Sequence, residues 1–119
     1  MHGIRSDKAA RLFAILHLIE TRSGEADLSA VTVARWLEVT PRYVHLLLER
    51  TGKSFSHHLL EARLQKAASL LRDPQWHARR IADIAGEAGF ADLSHFSRSF
   101  RRHYGSTPSE MRAASRGDN

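Results

Sequence analysis

Leu12, Ile15, Leu16 and Ile19 recur at the i, i+3, i+4, i+7 spacing that gathers apolar side chains on one face of an α-helix, which predicts a first helix over roughly residues 7–22. The stretch 23–27 is mostly polar and small and contains the helix breaker Gly24, so the helix ends there. Ser29 can cap a short second helix carrying Val33, Ala34 and Leu37. Thr40-Pro41, a hydroxyl cap followed by proline at the first helical position, opens a third that runs to about Thr51 and closes at Gly52. Ser54 caps a fourth helix whose apolar stripe is Leu60, Leu64, Ala67 and Leu71 and which stops near Arg72, before Asp73-Pro74. At a rise of 1.5 Å per residue this is a rod of roughly 27 Å. Residues 74–78 read as a loop. A fifth helix covers 80–88 and breaks at Gly89, a sixth covers 92–103 and closes at Gly105. Thr107-Pro108-Ser109-Glu110 is a capping box that opens a short last helix. No stretch alternates as a strand would, so the fold class is all-α with about seven helices.

The order contains a near repeat. Val33-Ala34 followed by Val39 matches Ile84-Ala85 followed by Phe90, and Val44 and Leu48 match Phe96 and Phe100, with one extra residue in the second turn. Each pair has the make-up of a helix-turn-helix, in which the first helix braces a second that enters the DNA major groove. Ala34 and Ala85 supply the small residue the close helix crossing needs. The sharp turn favours positive φ, which suits Gly89; Glu38 occupies the same place in the first pair, where it is either strained by about 1 kcal/mol or must turn differently. The expected organisation is an N-terminal tail (1–6), a first helix-turn-helix subdomain (7–53), a connector helix (54–73), a second subdomain (74–113) and a C-terminal tail (114–119). Phe90, Phe96 and Phe100 are expected in the core rather than as base-stacking platforms, and Trp36 and Trp76 as packing residues.

Composition narrows the class further. With 42% hydrophobic and 26% charged residues, the 119-residue chain reads as an ordinary globular protein. Its longest apolar run, 12–16, is far too short to span a membrane, and residues 1–7 have no apolar segment of a secretory signal. The absence of cysteine removes disulfides, thiol nucleophiles and thiolate metal sites together, and fits a reducing cytosol. The net charge of +5 and pI near 10.4 favour a phosphate-rich partner.

The segment Ile81-Ala82-Asp83-Ile84-Ala85 … Ala88-Gly89-Phe90-Ala91-Asp92-Leu93-Ser94-His95-Phe96-Ser97-Arg98-Ser99-Phe100-Arg101-Arg102 … Tyr104-Gly105-Ser106-Thr107-Pro108 resembles the C-terminal signature of the AraC/XylS family of bacterial transcription regulators. Thr40-Pro41-Arg42-Tyr43-Val44 and Gly52-Lys53-Ser54-Phe55 resemble that family's first unit, and Arg63-Leu64 … Ala67 … Leu70-Leu71 its connector. The similarity covers about residues 10–113. It implies seven helices, two reading heads in successive major-groove segments, and activation or repression of transcription. Carried over position by position, it implies that Arg42, His45 and Leu46 of the first unit and Leu93, Ser94, Ser97 and Arg98 of the second face base edges. Arg98 is the best candidate, since a guanidinium can grip guanine O6 and N7 together. Leu46 stands where family members commonly carry arginine, and it can touch a thymine methyl or cover sugar. Arg101, Arg102, Lys53 and Arg80 are expected at phosphates, with the backbone N–H groups near Tyr43 and Ile81.

Other chemistries find little in the sequence. His57 and His58 are adjacent and point to different helix faces, and His95 and His103 lie eight apart with no carboxylate at ligand spacing, so no metal or other cofactor is expected. Asp92, Ser94 and His95 sit together on one helical turn, which does not supply the convergent geometry of a nucleophile, base and orienter; the chain is not expected to be an enzyme. The expected partner is double-stranded DNA, with RNA polymerase and an N-terminal effector or dimerisation domain as further partners, no membrane, and a cytoplasmic, nucleoid-associated location. The alternative is a protein-interaction module of the same fold, an anti-activator or polymerase co-regulator, with weak or lost DNA binding. Leu46 and Glu38 are the residues in its favour.

Overall fold

The computed structural model describes residues 4–117; the remaining residues of the two expected tails lie outside the described residues. Seven α-helices follow one another: α1 (Ile4–Arg22), α2 (Ala30–Leu37), α3 (Pro41–Leu48), α4 (Phe55–Arg72), α5 (Ile81–Glu87), α6 (Leu93–Tyr104) and α7 (Pro108–Ser115). No strand occurs among the described residues. α1 starts three residues before its expected beginning, since Ile4-Arg5-Ser6 contains no breaker and Asp7 sits in the first turn, where an anion suits the helix dipole. α3 ends at Leu48 and its expected last turn tightens into a 3₁₀ turn, Glu49–Thr51, closed by Gly52 at φ 76°. The expected loop after α4 likewise begins as a 3₁₀ turn, Pro74–Trp76, because the Asp73 side chain accepts from the Gln75 N–H.

The chain forms two compact units, each with its own core. The first comprises residues 1–23 and 27–61. α1 packs on α2 and α3, and Ile15, Ile19, Val33, Val44 and Leu48 are almost wholly buried. The α4 side chains in this core are Phe55 and Leu59; Leu60, expected on the buried stripe, is only half-buried. The stripe starts one residue earlier because Phe55 anchors the helix, and Leu59, four residues on, lies beneath it.

The second unit comprises residues 24–26 and 62–119. Leu64, Leu71, Ile84, Phe96 and Phe100 have essentially no exposure, each contributing about 1.5–3 kcal/mol by removal from water. Phe90, Phe96, Phe100 and Tyr104 form a ladder of tilted rings with successive centroids 4.9, 5.5 and 4.7 Å apart. Arg63 ties residues 24–26 to this unit, its Nη2 donating to the carbonyls of Glu25 at 2.9 Å and Ala26 at 3.3 Å.

The two sharp turns have the same construction. Glu38 N–H donates to Arg35 and Val39 N–H to Ala34; Gly89 N–H donates to Gly86 and Phe90 N–H to Ala85. Glu38 is left-handed at φ 57°, ψ 43°, and Gly89 has φ 103°. Glu38 therefore does adopt the strained geometry that Gly89 takes freely.

Candidate nucleic-acid interface

α3 is positioned by Thr40, whose hydroxyl accepts from the Tyr43 N–H at 3.1 Å, and by Val44, Leu47 and Leu48 pressed into the core. At about 100° per residue, Arg42, His45, Leu46 and Glu49 share the opposite face, and all four are exposed. Leu46 is 54% exposed, which is unusual for a leucine with a well-packed helix beneath it. Tyr43 is half-buried at the edge of this face, with the Arg11 guanidinium 5.8 Å from its ring centre. Lys53 follows the 3₁₀ turn, and its Nζ is 2.9 and 3.1 Å from the two Glu61 carboxylate oxygens. His45, Glu49, Lys53 and the Ser54-Phe55 start of α4 line a shallow concavity of about 400 Å³. The turn is braced by Thr51, whose hydroxyl lies 2.8 Å from His58 Nε2 and 2.7 Å from the Leu48 carbonyl. Burial pushes the His58 imidazole below its ordinary pKa, and the Lys53 charge adds to the effect.

α6 is built on the same plan with stronger charge. Asp92 caps it, its carboxylate accepting from the N–H groups of Ser94 at 2.8 Å and His95 at 3.3 Å, while Phe96, Ser99 and Phe100 face the core. Leu93, Ser94, Ser97, Arg98 and Arg101 share the outer face; Ser97 is half-buried and the others are exposed. A second concavity of about 380 Å³ runs along this face. It is lined by Ile81, Leu93, Ser97, Arg98, Arg101 and the Thr107–Ser109 start of α7. No acidic side chain interrupts residues 93–104. Arg102 is also exposed but lies about a quarter-turn away from Arg101. At the rim, the Arg80 guanidinium bonds Asp83 at 3.2 and 3.3 Å, which lowers the Asp83 pKa and raises that of Arg80. Glu110 accepts from the Thr107 N–H at 2.7 Å, and this bond holds its carboxyl below the usual range, with Arg101 nearby helping.

The residues singled out in the sequence are therefore gathered into two faces, one in each unit. Arg42, His45 and Leu46 share the α3 face, and Ser94, Ser97 and Arg98 share the α6 face. Arg101 lines the α6 concavity with Ser97 and Arg98, while Arg102, four residues after Arg98 and next to it on the helix surface, lies outside that lining. Lys53 and Arg80, expected at phosphates, are engaged by carboxylates of their own units. Sequence reasoning missed two participants. Glu49 falls in the middle of the α3 face, seven residues after Arg42 and four after His45, a spacing that the expected helix already contained; Arg11 reaches Tyr43 from α1, a contact no local pattern encodes.

Two small braced helix pairs, each turning a groove-sized polar helix face to solvent above an apolar brace, define a double helix-turn-helix nucleic-acid-binding domain. A family profile described as a helix-turn-helix domain matches residues 33–114. The transcriptional activator RhrA of Rhizobium meliloti is 36% identical over 102 residues, covering 86% of this chain and 32% of RhrA. The HTH-type transcriptional activator RhaR of Yersinia pseudotuberculosis is 43% identical over 67 residues, covering 56% of this chain and 22% of RhaR. Among solved structures, an AraC-type DNA-binding transcriptional regulator from Chromobacterium violaceum has a TM-score of 0.78 at 28% identity, covering 92% of this chain and 96% of its own. The C-terminal domain of AraT, a response regulator from Geobacillus stearothermophilus, has a TM-score of 0.77 at 28% identity, covering 87% and 84%. The chain belongs to the AraC/XylS family of helix-turn-helix, DNA-binding transcription regulators. It spans about a third of the length of the curated relatives it matches.

Proposed function

We propose that this chain reads a specific double-stranded DNA sequence by laying α3 and α6 in successive major-groove segments, and that it activates transcription from such sites. The observation that carries the reading is the α6 face, where Ser94, Ser97, Arg98 and Arg101 are presented together over a wholly buried Phe96/Phe100 base. Arg98 is assigned to a guanine edge, Ser94 and Ser97 to neighbouring bases, and Arg42, His45 and Leu46 to the first half of the site. Arg101 and Arg102, the Tyr43 and Ile81 backbone amides, and Lys53 and Arg80 once released from their carboxylates, are assigned to phosphates. Activation is suggested by the relatives named as activators, and contact with RNA polymerase belongs to the same reading. An effector or dimerisation domain on the N-terminal side is suggested by the relatives' greater length. A bacterial DNA partner implies work at the nucleoid, in the cytoplasm. Among the described residues no helix is long and apolar enough to cross a membrane.

The test is selection of bound duplexes from a random-sequence pool at physiological salt, followed by sequencing. Two recurring blocks with centres about one helical turn apart are the expected result. A single block reduces the first unit to a backbone contact. No enrichment returns the function to the protein-interaction alternative.

A further inference from the structure

Glu49 is the one member of the α3 face whose charge opposes its surroundings. The caps of the two outward-facing helices, Thr40 and Asp92, are 52 residues apart, and the same offset carries Glu49 onto Arg101. The two faces thus hold opposite charges at one equivalent point. The Glu49 carboxylate is exposed, and no ion pair or side-chain hydrogen bond engages it among the described residues; Lys53, across the same concavity, is held by Glu61. Glu49 also occupies the C-cap of α3, where the helix dipole disfavours an anion. Neither packing nor capping nor pairing accounts for a carboxylate there.

Next to DNA the charge is repelled by phosphates and by every acceptor on the groove floor. It gains only where it meets a base amino group. Of the two available, adenine N6 sits beside the N7 acceptor, which repels a carboxylate, whereas cytosine N4 has only a C–H beside it on its own ring. Resting on the reading that α3 enters the major groove, we propose that Glu49 determines specificity in the first half-site by accepting a hydrogen bond from cytosine N4. Sites without a cytosine there are rejected by the unpaired, desolvated carboxylate as much as the right site is favoured by the bond.

The test compares selected sequences for the whole chain, Glu49→Gln and Glu49→Ala, and then measures binding of a selected duplex whose key cytosine is replaced by 2-pyrimidinone, which lacks the amino group. The expected wild-type result is an invariant C·G column in the first block. Glu49→Ala flattens that column and Glu49→Gln moves it towards adenine, the other columns standing. Removing the amino group weakens the wild type about tenfold, the worth of one hydrogen bond to a charged group, and leaves Glu49→Ala indifferent. An unchanged column in both variants overturns the inference while leaving sequence-specific binding intact. A uniform rise in affinity with no column changed also overturns it, reducing Glu49 to a general repulsion of phosphates. A wild type that selects a single block, or nothing, removes the first-unit reading and the inference with it. Should Glu49→Ala fail to fold, the base-analogue comparison on the wild-type chain still decides.

Discussion

Arg98 and Arg102 are four residues apart and so neighbours on the surface of α6, yet only one of them lines its concavity. Arg98 borders the concavity with Ser97 and Leu93, whereas Arg102 lies outside it. Arg98→Ala should therefore weaken the preferred site by about 1–3 kcal/mol and flatten one base-pair column, while Arg102→Ala should weaken all sequences alike and reduce the salt slope by about one. Selection and salt titration of the two variants check both; an unchanged column for Arg98→Ala would remove it from the base readers. Leu46 and Leu93, 54% and 47% exposed on the two faces, belong to the same scale. If either covers a thymine methyl, uracil in place of that thymine should cost about 0.8 kcal/mol, roughly fourfold, and Leu→Ala should abolish the difference. Single residues were read well from sequence where periodicity governs them, as at Phe96 and Phe100, and less well where a neighbour decides. Leu59 rather than Leu60 lines the core because Phe55 sets the helix rotation. The pairing of Lys53 with a carboxylate eight residues away is a property of the folded turn, and no spacing rule announces it.

At the scale of the element, boundaries and caps were legible because they are local chemistry: Ser29, Thr40, Ser54 and Thr107 each accept the N–H their position predicts, while Asp92, expected as the first residue of its helix, proves to be the cap. The turn at Gly89 was legible for the same reason, whereas at Glu38 the sequence left strain or a different turn open, and the structure takes the strained one. Glu38→Gly should relieve a left-handed cost of about 1–2 kcal/mol against a smaller loss of chain entropy, raising the melting temperature by a few degrees. Gly89→Ala should lower it. A fall in both would mean the first turn is held by contacts of the Glu38 side chain. The turn leading into α4 makes a pH prediction. His58 is depressed below its ordinary pKa by burial and by Lys53, so the folded state binds fewer protons than the unfolded chain. Its share of stability is complete above the unfolded value near 6.5 and drains away as pH falls towards the lower folded value. Thermal melts between pH 7.5 and 5 should show a decline that His58→Gln reduces; equal declines in both proteins would clear His58 of the effect.

For the molecule as a whole, the net charge of +5 favours a phosphate-rich partner, but it overstates what is free to meet a phosphate. Lys53 and Arg80, both expected at the backbone, carry their own counter-charges in Glu61 and Asp83. An exposed ion pair is weak and screened by salt, so neither pairing forbids a phosphate contact. Each does subtract from its gain, because the cation exchanges one anion for another and frees fewer counterions. Neutralising the carboxylate while keeping its hydrogen-bonding shape separates these effects. Asp83→Asn retains an acceptor for the Arg80 N–H, which is 3.3 Å from Asp83 Oδ2, and so leaves the start of α5 capped. If Arg80 sits at a phosphate, this variant should bind every duplex more tightly, and the slope of log affinity against log salt should steepen by up to about 0.9, the increment for one newly neutralised phosphate. Glu61→Gln should do the same through Lys53. Tighter binding without a steeper slope would mean only that a repelling charge had gone, and an unchanged slope in both variants would place Lys53 and Arg80 off the DNA, leaving the arginines of α6 to hold the backbone alone.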